Sequence, residues 1–379
     1  MAKSTASAAY LLASMFLGLL CVAPAWADTA IKWHPGVYIW PGNQACDGTA
    51  RADDFATIDQ IAHVPQIRGV YINWQWSCFE GDTAGDYSAG FARIDAYLAK
   101  LHGTGLHLMI GFWPMNWGAC TSSNSVNGRP KSIPLPAYII NSPGFVDYCT
   151  AQSRLYTIAF WNPAAVDRII ALSAAYAARY DSNPKVEMWQ PHEETAGLVG
   201  DASAGFSWAA ALAQWRRLYA ALATQWTHTL IREGVNFMDS PGSLRYDMDH
   251  LHRPGLIFGG ADSMPETVRT IDANYAFRGL DVGTTSSPAG RPHTGWTDLR
   301  GIYPWLAFIN AGEIYGTATP QQEQTYAHDT MHDSYLVWMR ESWDGVPARY
   351  WPNVLPYIAS GSTPVYTTAC PTGWTCNTN

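Results

Sequence analysis

The chain has 379 residues, a formal net charge of −8 and only 14% charged residues. That length is large for one β-sandwich and ordinary for one α/β barrel. The acidic balance argues against a nucleic-acid or anionic-membrane partner, because both need a basic footprint.

The first segment reads as an export signal, residues 1–27. Lys3 supplies a positive start, Ala8 to Val22 an apolar run, and Ala25-Trp26-Ala27 a small-x-small cleavage pattern. The run is short for a transmembrane helix, and Leu20 before Cys21 argues against lipidation. Cleavage after Ala27 leaves 352 residues with a net charge of −9, since Lys3 is lost. The expected compartment is the periplasm or the medium, with no membrane span in the mature form.

Strand-like and helix-like segments then alternate. Val37 to Trp40 is a short apolar strand, followed by a helix over Asp53 to Val64 with Phe55, Ile58 and Ile61 on one face. Gly69 to Trp74 is the second strand. Phe91, Ile94, Leu98 and Leu101 mark the next helix, and Leu106 to Trp113 the third strand. Residues 114–160 form a long irregular stretch, and loops of that length are usually functional. Asn162-Pro163 caps a helix carrying Val166, Ile169, Ile170, Tyr176 and Tyr180. Val186 to Trp189 is the fourth strand, and Trp208 to Trp226 a long helix. Further strands fall at Val235 to Met238, Leu256 to Phe258, Leu306 to Ile309 and Tyr335 to Trp338. A last helix covers Arg349 to Ile358.

Eight strands interleaved with helices, with no strand–strand hairpin signal, predict a single-domain α/β fold, a (β/α)8 TIM barrel over residues 28–360. A tail follows over 361–379. An open doubly wound sheet is the rival, but no strand leads into a GxGxxG or GxxxxGK[ST] loop.

Six cysteines remain after cleavage: Cys46, Cys78, Cys120, Cys149, Cys370 and Cys376. An even number in an exported chain predicts disulfides, and proximity along the chain favours Cys46–Cys78, Cys120–Cys149 and Cys370–Cys376. None has CxxC spacing, and the sequence calls for no metal or cofactor. Asp247, Asp249, His250 and His252 have the composition of a metal site, but a helix–loop surface explains them. Eighteen Trp and 20 Tyr stand beside few charges. Their flat faces stack on CH surfaces and their polar edges hydrogen-bond, as a sugar ring requires; most are expected to fill the core.

Active sites of parallel barrels lie at the C-terminal ends of the strands. The fourth strand runs into Gln190-Pro191-His192-Glu193-Glu194, and the seventh into Asn310-Ala311-Gly312-Glu313. Carboxylates there are costly to desolvate and seldom appear without a use. Two facing carboxyls perform glycoside hydrolysis, with retention at about 5–5.5 Å separation and inversion at about 6.5–9.5 Å. The surface alternatives are a solvated loop for Glu313 and an N-cap cluster for Glu193-Glu194.

Here the chain resembles the clan of retaining (β/α)8 glycoside hydrolases with an acid/base Glu after strand four and a nucleophile Glu after strand seven, the β-galactosidase and cellulase-like superfamily. Trp76-Ser77-Cys78-Phe79-Glu80, then Gly85-Asp86-Tyr87, is similar to the W…E…G-x-Y-D stretch after strand two. The clan's W-x-x-x-N-E overlays Trp189, Glu193 and Glu194. The resemblance implies Glu194 as acid/base, with Glu193 the alternative, and Glu313 as nucleophile. It also puts Trp338 at the floor of the −1 subsite. The clan's Asn before the acid/base is Glu193 here, which removes the usual 2-hydroxyl contact. Other candidate sugar contacts are His192, Asn73, Trp74, Trp76, Trp113, Trp117, Asp262 and Asn310. The expected function is secreted hydrolysis of an oligo- or polysaccharide; the alternative is an inactive carbohydrate-binding protein on the same barrel.

Overall fold

The computed structural model describes residues 30–42, 46–117, 125–126, 129–130, 135–147, 155–191, 205–234, 241–260, 303–310, 319–340 and 351–378. Eight short segments form the central strands: β1 (Gly36–Trp40), β2 (Ile67–Gln75), β3 (His107–Trp113), β4 (Val186–Pro191), β5 (Leu230–Gly234), β6 (Leu256–Gly260), β7 (Trp305–Asn310) and β8 (Tyr335–Met339). Each pairs in parallel with the next, and β8 returns to β1 from Tyr335↔Gly36 to Met339↔Trp40, closing the barrel. Both faces of such a sheet are covered, so its strands read as nearly continuous apolar runs.

Outside it, besides the single turns Trp76–Phe79 and Ala137–Ile140, lie α1 (Gly48–Ile61), α2 (Ser88–Leu101), α3 (Pro163–Tyr180), α4 (Trp208–Gln225), α5 (Pro241–Leu251), α6 (Pro320–Thr325) and α7 (Trp351–Ala359). Their starts follow local chemistry. Asp47 accepts from the Thr49 and Ala50 amides. Asn162 accepts from the Ala164 amide, with Pro163 at the first helical position. Thr319 and Gln322 form a reciprocal capping box at α6. One π-helical turn, Tyr326–Thr330, continues α6.

The fifth strand, Leu230–Gly234, lies just before the expected one, and Val235–Met238, where periodicity pointed, lies outside the described residues. Arg232 and Glu233 disguised it, yet each has a partner that allows burial. The Arg232 guanidinium bonds Gln190 inside the barrel, and Glu233 accepts from the Trp215 indole beneath α4. The stretch after β3 also holds short antiparallel pairings: Met115–Trp117 and Val146–Asp147 both pair with Leu155–Ile158, and Ser125–Val126 pairs with Arg129–Pro130. Strands of two to four residues are too short to show a sequence period.

Two disulfides are present among the described residues, Cys46–Cys78 and Cys370–Cys376; Cys120 and Cys149 lie outside them. The tail closes the N-terminal end of the barrel. Cys376–Asn377 pairs in parallel with Ile31–Lys32, and the Trp33 indole donates to the Ala369 carbonyl at 3.1 Å. No helix among the described residues is long and apolar enough to cross a membrane.

Most described tryptophans do fill the core. Trp189 stacks on Trp226 at 5.2 Å and on Tyr176 at 5.4 Å, between the sheet and the helices. Glu80, fully buried, knits the segment after β2 to the rest. Its Oε2 accepts from the Trp76 indole and the Tyr138 hydroxyl, both at 2.7 Å. Its Oε1 accepts from the Gly85 amide and from Arg168 of α3 at 2.9 Å. Removing one member of a buried ion pair strands the other. Glu80→Ala is therefore expected to cost about 3–5 kcal/mol in urea unfolding, whereas a loss under 1 kcal/mol would mean that the network contributes little.

Asp333 precedes β8. Burial holds its carboxyl well above the ordinary carboxylate range, against the opposing pull of Arg232. In the unfolded chain it ionises near pH 4, about 3.9. The folded state keeps that proton to higher pH, so this group's contribution to stability falls as the pH rises above about 4. Asp333→Asn should then gain on wild type in thermal melts between about pH 4 and 7, with the difference closing at lower pH. A difference that does not vary with pH would rule out this account.

Candidate active site

In a parallel strand, alternate residues point into the barrel and the rest toward the helices. At the C-terminal half of this barrel the inward set is aromatic and polar. Trp40 ends β1 and Trp113 ends β3; their ring centroids are 6.5 Å apart. Tyr71 of β2 meets Trp40 edge-on at 5.5 Å and Phe308 of β7 at 5.2 Å. Asn73 and Gln190 are fully buried, and Gln190 bonds the Tyr71 hydroxyl. The Arg232 guanidinium lies over the Phe308 ring at 4.6 Å and donates to Gln190 Oε1 at 3.2 Å.

Two glycines make room for this layer. A Cβ on Gly111 of β3 would lie 2.2 Å from the Tyr71 hydroxyl and 2.6 Å from Asn73 Oδ1. A Cβ on Gly259 of β6 would lie 2.3 Å from Arg232 Nε. Neither gap can be relieved without shifting a side chain that is packed on every side.

The site residues expected from the sequence divide into three groups. Asn73 and Trp113 belong to the inward layer. Trp74 and Trp338 do not. Both sit at outward positions of their strands: Trp74 packs on Phe79 and Tyr97, and the Trp338 indole faces Gln324 of α6 at 3.3 Å. Trp76 likewise packs on Phe112 and bonds Glu80. All three are at most 1% exposed. His192, Glu193, Glu194, Asp262 and Glu313 lie outside the described residues, as do the side chains of Trp117 and Asn310. What is described is where their strands end: β4 at Pro191, β6 at Gly260 and β7 at Asn310.

Sequence reasoning missed Trp40, Tyr71, Gln190, Arg232 and Phe308. Strand parity was the available signal, because Trp40, Tyr71 and Gln190 each fall two residues from another inward position, at Tyr38, Asn73 and Met188. Asp247, of the four residues with metal-site composition, is buried and paired with Arg216. His250 and His252 bond backbone carbonyls of their own helical segment through Nδ1.

No family model matches the sequence, and no curated protein matches it. Among solved structures, the chain is similar to the β-mannanase of the blue mussel Mytilus edulis, with 11% identity and a TM-score of 0.54 over 91% of this chain and 99% of that one. It is also similar to a β-galactosidase from Bacillus circulans sp. alkalophilus, with 11% identity and a TM-score of 0.50 over 87% of this chain. The chain spans about half the length of that galactosidase, 55%. At such identities the likeness establishes the fold: the protein is a (β/α)8 barrel.

Gly111→Ala tests the inward layer. Overpacking of this kind costs about 1–3 kcal/mol, and the displaced Tyr71 and Asn73 should appear as a lowered melting temperature with an altered near-ultraviolet spectrum. An unchanged melting temperature and spectrum would mean that the layer yields freely.

Proposed function

We propose that this protein is a secreted glycoside hydrolase cleaving an O-glycosidic bond in an oligo- or polysaccharide by a two-glutamate, retaining mechanism. One observation carries the reading. Strands β4 and β7 end at the same rim of a closed barrel, and each chain end reaches a glutamate within three residues, Glu193-Glu194 after Pro191 and Glu313 after Asn310. Below that rim lies a layer of aromatic rings and buried polar groups of the kind that recognises sugars. The similarity to a mannanase and a galactosidase agrees with this reading.

In the proposed reaction, Glu313 attacks the anomeric carbon while Glu194 gives its proton to the leaving oxygen. Water then hydrolyses the glycosyl-enzyme ester, with Glu194 taking the proton back. Glu193, adjacent to Glu194, raises the pKa of one of the two by repulsion and favours a protonated acid near neutral pH. With Glu193 in place of the clan's Asn, the 2-hydroxyl contact must come from another group. Asn73, buried in the layer below, is one such group, and Trp113 supplies a ring face. The signal at residues 1–27 and the disulfides support export.

The test is hydrolysis of a panel including β-mannan, β-glucan and aryl β-galactosides by wild type, Glu193→Gln, Glu194→Gln and Glu313→Gln. Removing the general acid should lower kcat by about 10²–10⁴-fold, and Glu313→Gln should abolish formation of a covalent glycosyl-enzyme. Azide should rescue the Glu194 variant on substrates with good leaving groups. Equal turnover in all four proteins would overturn the mechanism. Binding of a polysaccharide by wild type with no turnover would favour the carbohydrate-binding alternative.

A further inference from the structure

At the opposite end of the barrel from the rim, three side chains from distant parts of the chain converge. His34 lies between the Ile31–Lys32 strand and β1, His107 opens β3, and Glu187 is the second residue of β4. The imidazoles of His34 and His107 are stacked, with centroids 3.8 Å apart and planes 20° apart. Glu187 is fully buried. Its Oε1 accepts from the His34 amide at 2.8 Å and the Tyr335 hydroxyl at 2.7 Å, and its Oε2 accepts from His34 Nδ1 at 2.7 Å.

These contacts assign the protons. Because His34 Nδ1–H faces a carboxylate, the neutral ring carries its lone pair on Nε2. His107 bonds the Pro184 backbone, and since its Nδ1 has no partner, that contact uses Nε2–H and leaves the lone pair on Nδ1. Both lone-pair nitrogens, His34 Nε2 and His107 Nδ1, are buried and without a hydrogen-bond partner. The His34 side chain is 10% exposed and His107 9%. A buried acceptor left unmet costs about 1–3 kcal/mol, and this barrel carries two side by side. Imidazoles that bind metals have this arrangement: one nitrogen held as a donor by a carboxylate or a backbone carbonyl, the other free.

We propose that His34, His107 and Glu187 form a binding site for a divalent transition metal of the Zn²⁺ class. His34 Nε2 and His107 Nδ1 are the nitrogen ligands, and Glu187 acts behind them, orienting His34 through Nδ1 and supplying negative charge. One ligand atom from each residue can be chosen so that all lie within 4.8 Å of one another. A tetrahedral ion with bonds of about 2.0–2.1 Å brings its ligands to about 3.3 Å, so binding turns the rings out of their stack and draws the three elements together. The ligand type selects the kind of ion, since imidazole nitrogens suit a borderline metal better than a hard cation. A site at the N-terminal pole serves stability, remote from the catalytic rim.

The test uses the untagged full-length mature chain, stripped with chelator, and Zn²⁺ or Co²⁺ as the probe. We expect one Zn²⁺ per chain by calorimetry, a raised melting temperature that chelator reverses, and the visible bands of tetrahedral Co²⁺. His34→Ala and His107→Ala should each weaken binding by at least tenfold, and Glu187→Gln by about 10–100-fold. A His250→Ala/His252→Ala variant should bind as wild type does. Should the pole variants fail to fold, X-ray absorption of Zn-loaded wild type decides alone, since two imidazoles must appear in the first shell. No binding, binding that survives both single histidine variants, or a first shell without imidazole would overturn the proposal. None of these readouts depends on glycosidase activity.

Discussion

The pairing of β8 with β1 is the constraint on which the rest of this structure depends. Once Tyr335 to Met339 bonds Gly36 to Trp40, the sheet has no edge, and every strand has an inside and an outside. Each side chain is then assigned by parity. The same rule that sends Trp40, Tyr71 and Trp113 inward sends Trp74, Trp189 and Trp338 outward. A tryptophan's chemistry does not differ between those sets, but its neighbours do. Inside it meets rings and a guanidinium; outside it meets helix side chains in a dry layer.

Closure also sets what charge the interior tolerates. Arg232 is 2% exposed, a placement that needs compensation. It has a ring face, the Gln190 carbonyl oxygen and the space left by Gly259, and those three come from three other strands. Glu80 and Glu187 follow the same logic at other heights. Each buried carboxylate is met by several donors drawn from separate segments, so each ties distant pieces of chain together. Despite its burial, the Glu187 carboxyl is held below the ordinary range by His34, His107 and Tyr335. The two ends of the barrel thus divide the work, with a buried charged cluster bracing one pole and carboxylate-bearing segments leaving the other.

The pole cluster also depends on the chain termini. Trp33 packs edge-on against Tyr335 at 5.3 Å and Trp374 at 5.7 Å, and the tail accepts from the Ile31 and Trp33 amides through the Thr375 and Asn377 carbonyls. That packing holds His34 over Glu187. A domain ending with the last barrel helix would leave this face open to water and the two imidazoles without their lid.

Much of the architecture was legible in the residues. Seven of the eight strands lie where short apolar runs placed them, because a parallel strand buried on both faces must be apolar throughout. Asn162-Pro163 marked the start of α3 because capping chemistry is local. Carboxylates after β4 and β7 were legible for the same reason: they interrupt apolar runs. What the residues alone could not decide is whatever depends on partners far away in sequence. The β5 strand was hidden because Arg232 and Glu233 look unfit for burial until Gln190, Phe308 and Trp215 arrive from other elements. Trp74 and Trp338 looked like sugar platforms because strand ends suggest exposure, and only the register of a closed sheet turns them outward. His34, His107 and Glu187 are separated by 73 and 80 residues and have no motif spacing. Only the barrel brings their side chains into contact, since through-space proximity across parallel strands leaves no local pattern in the chain.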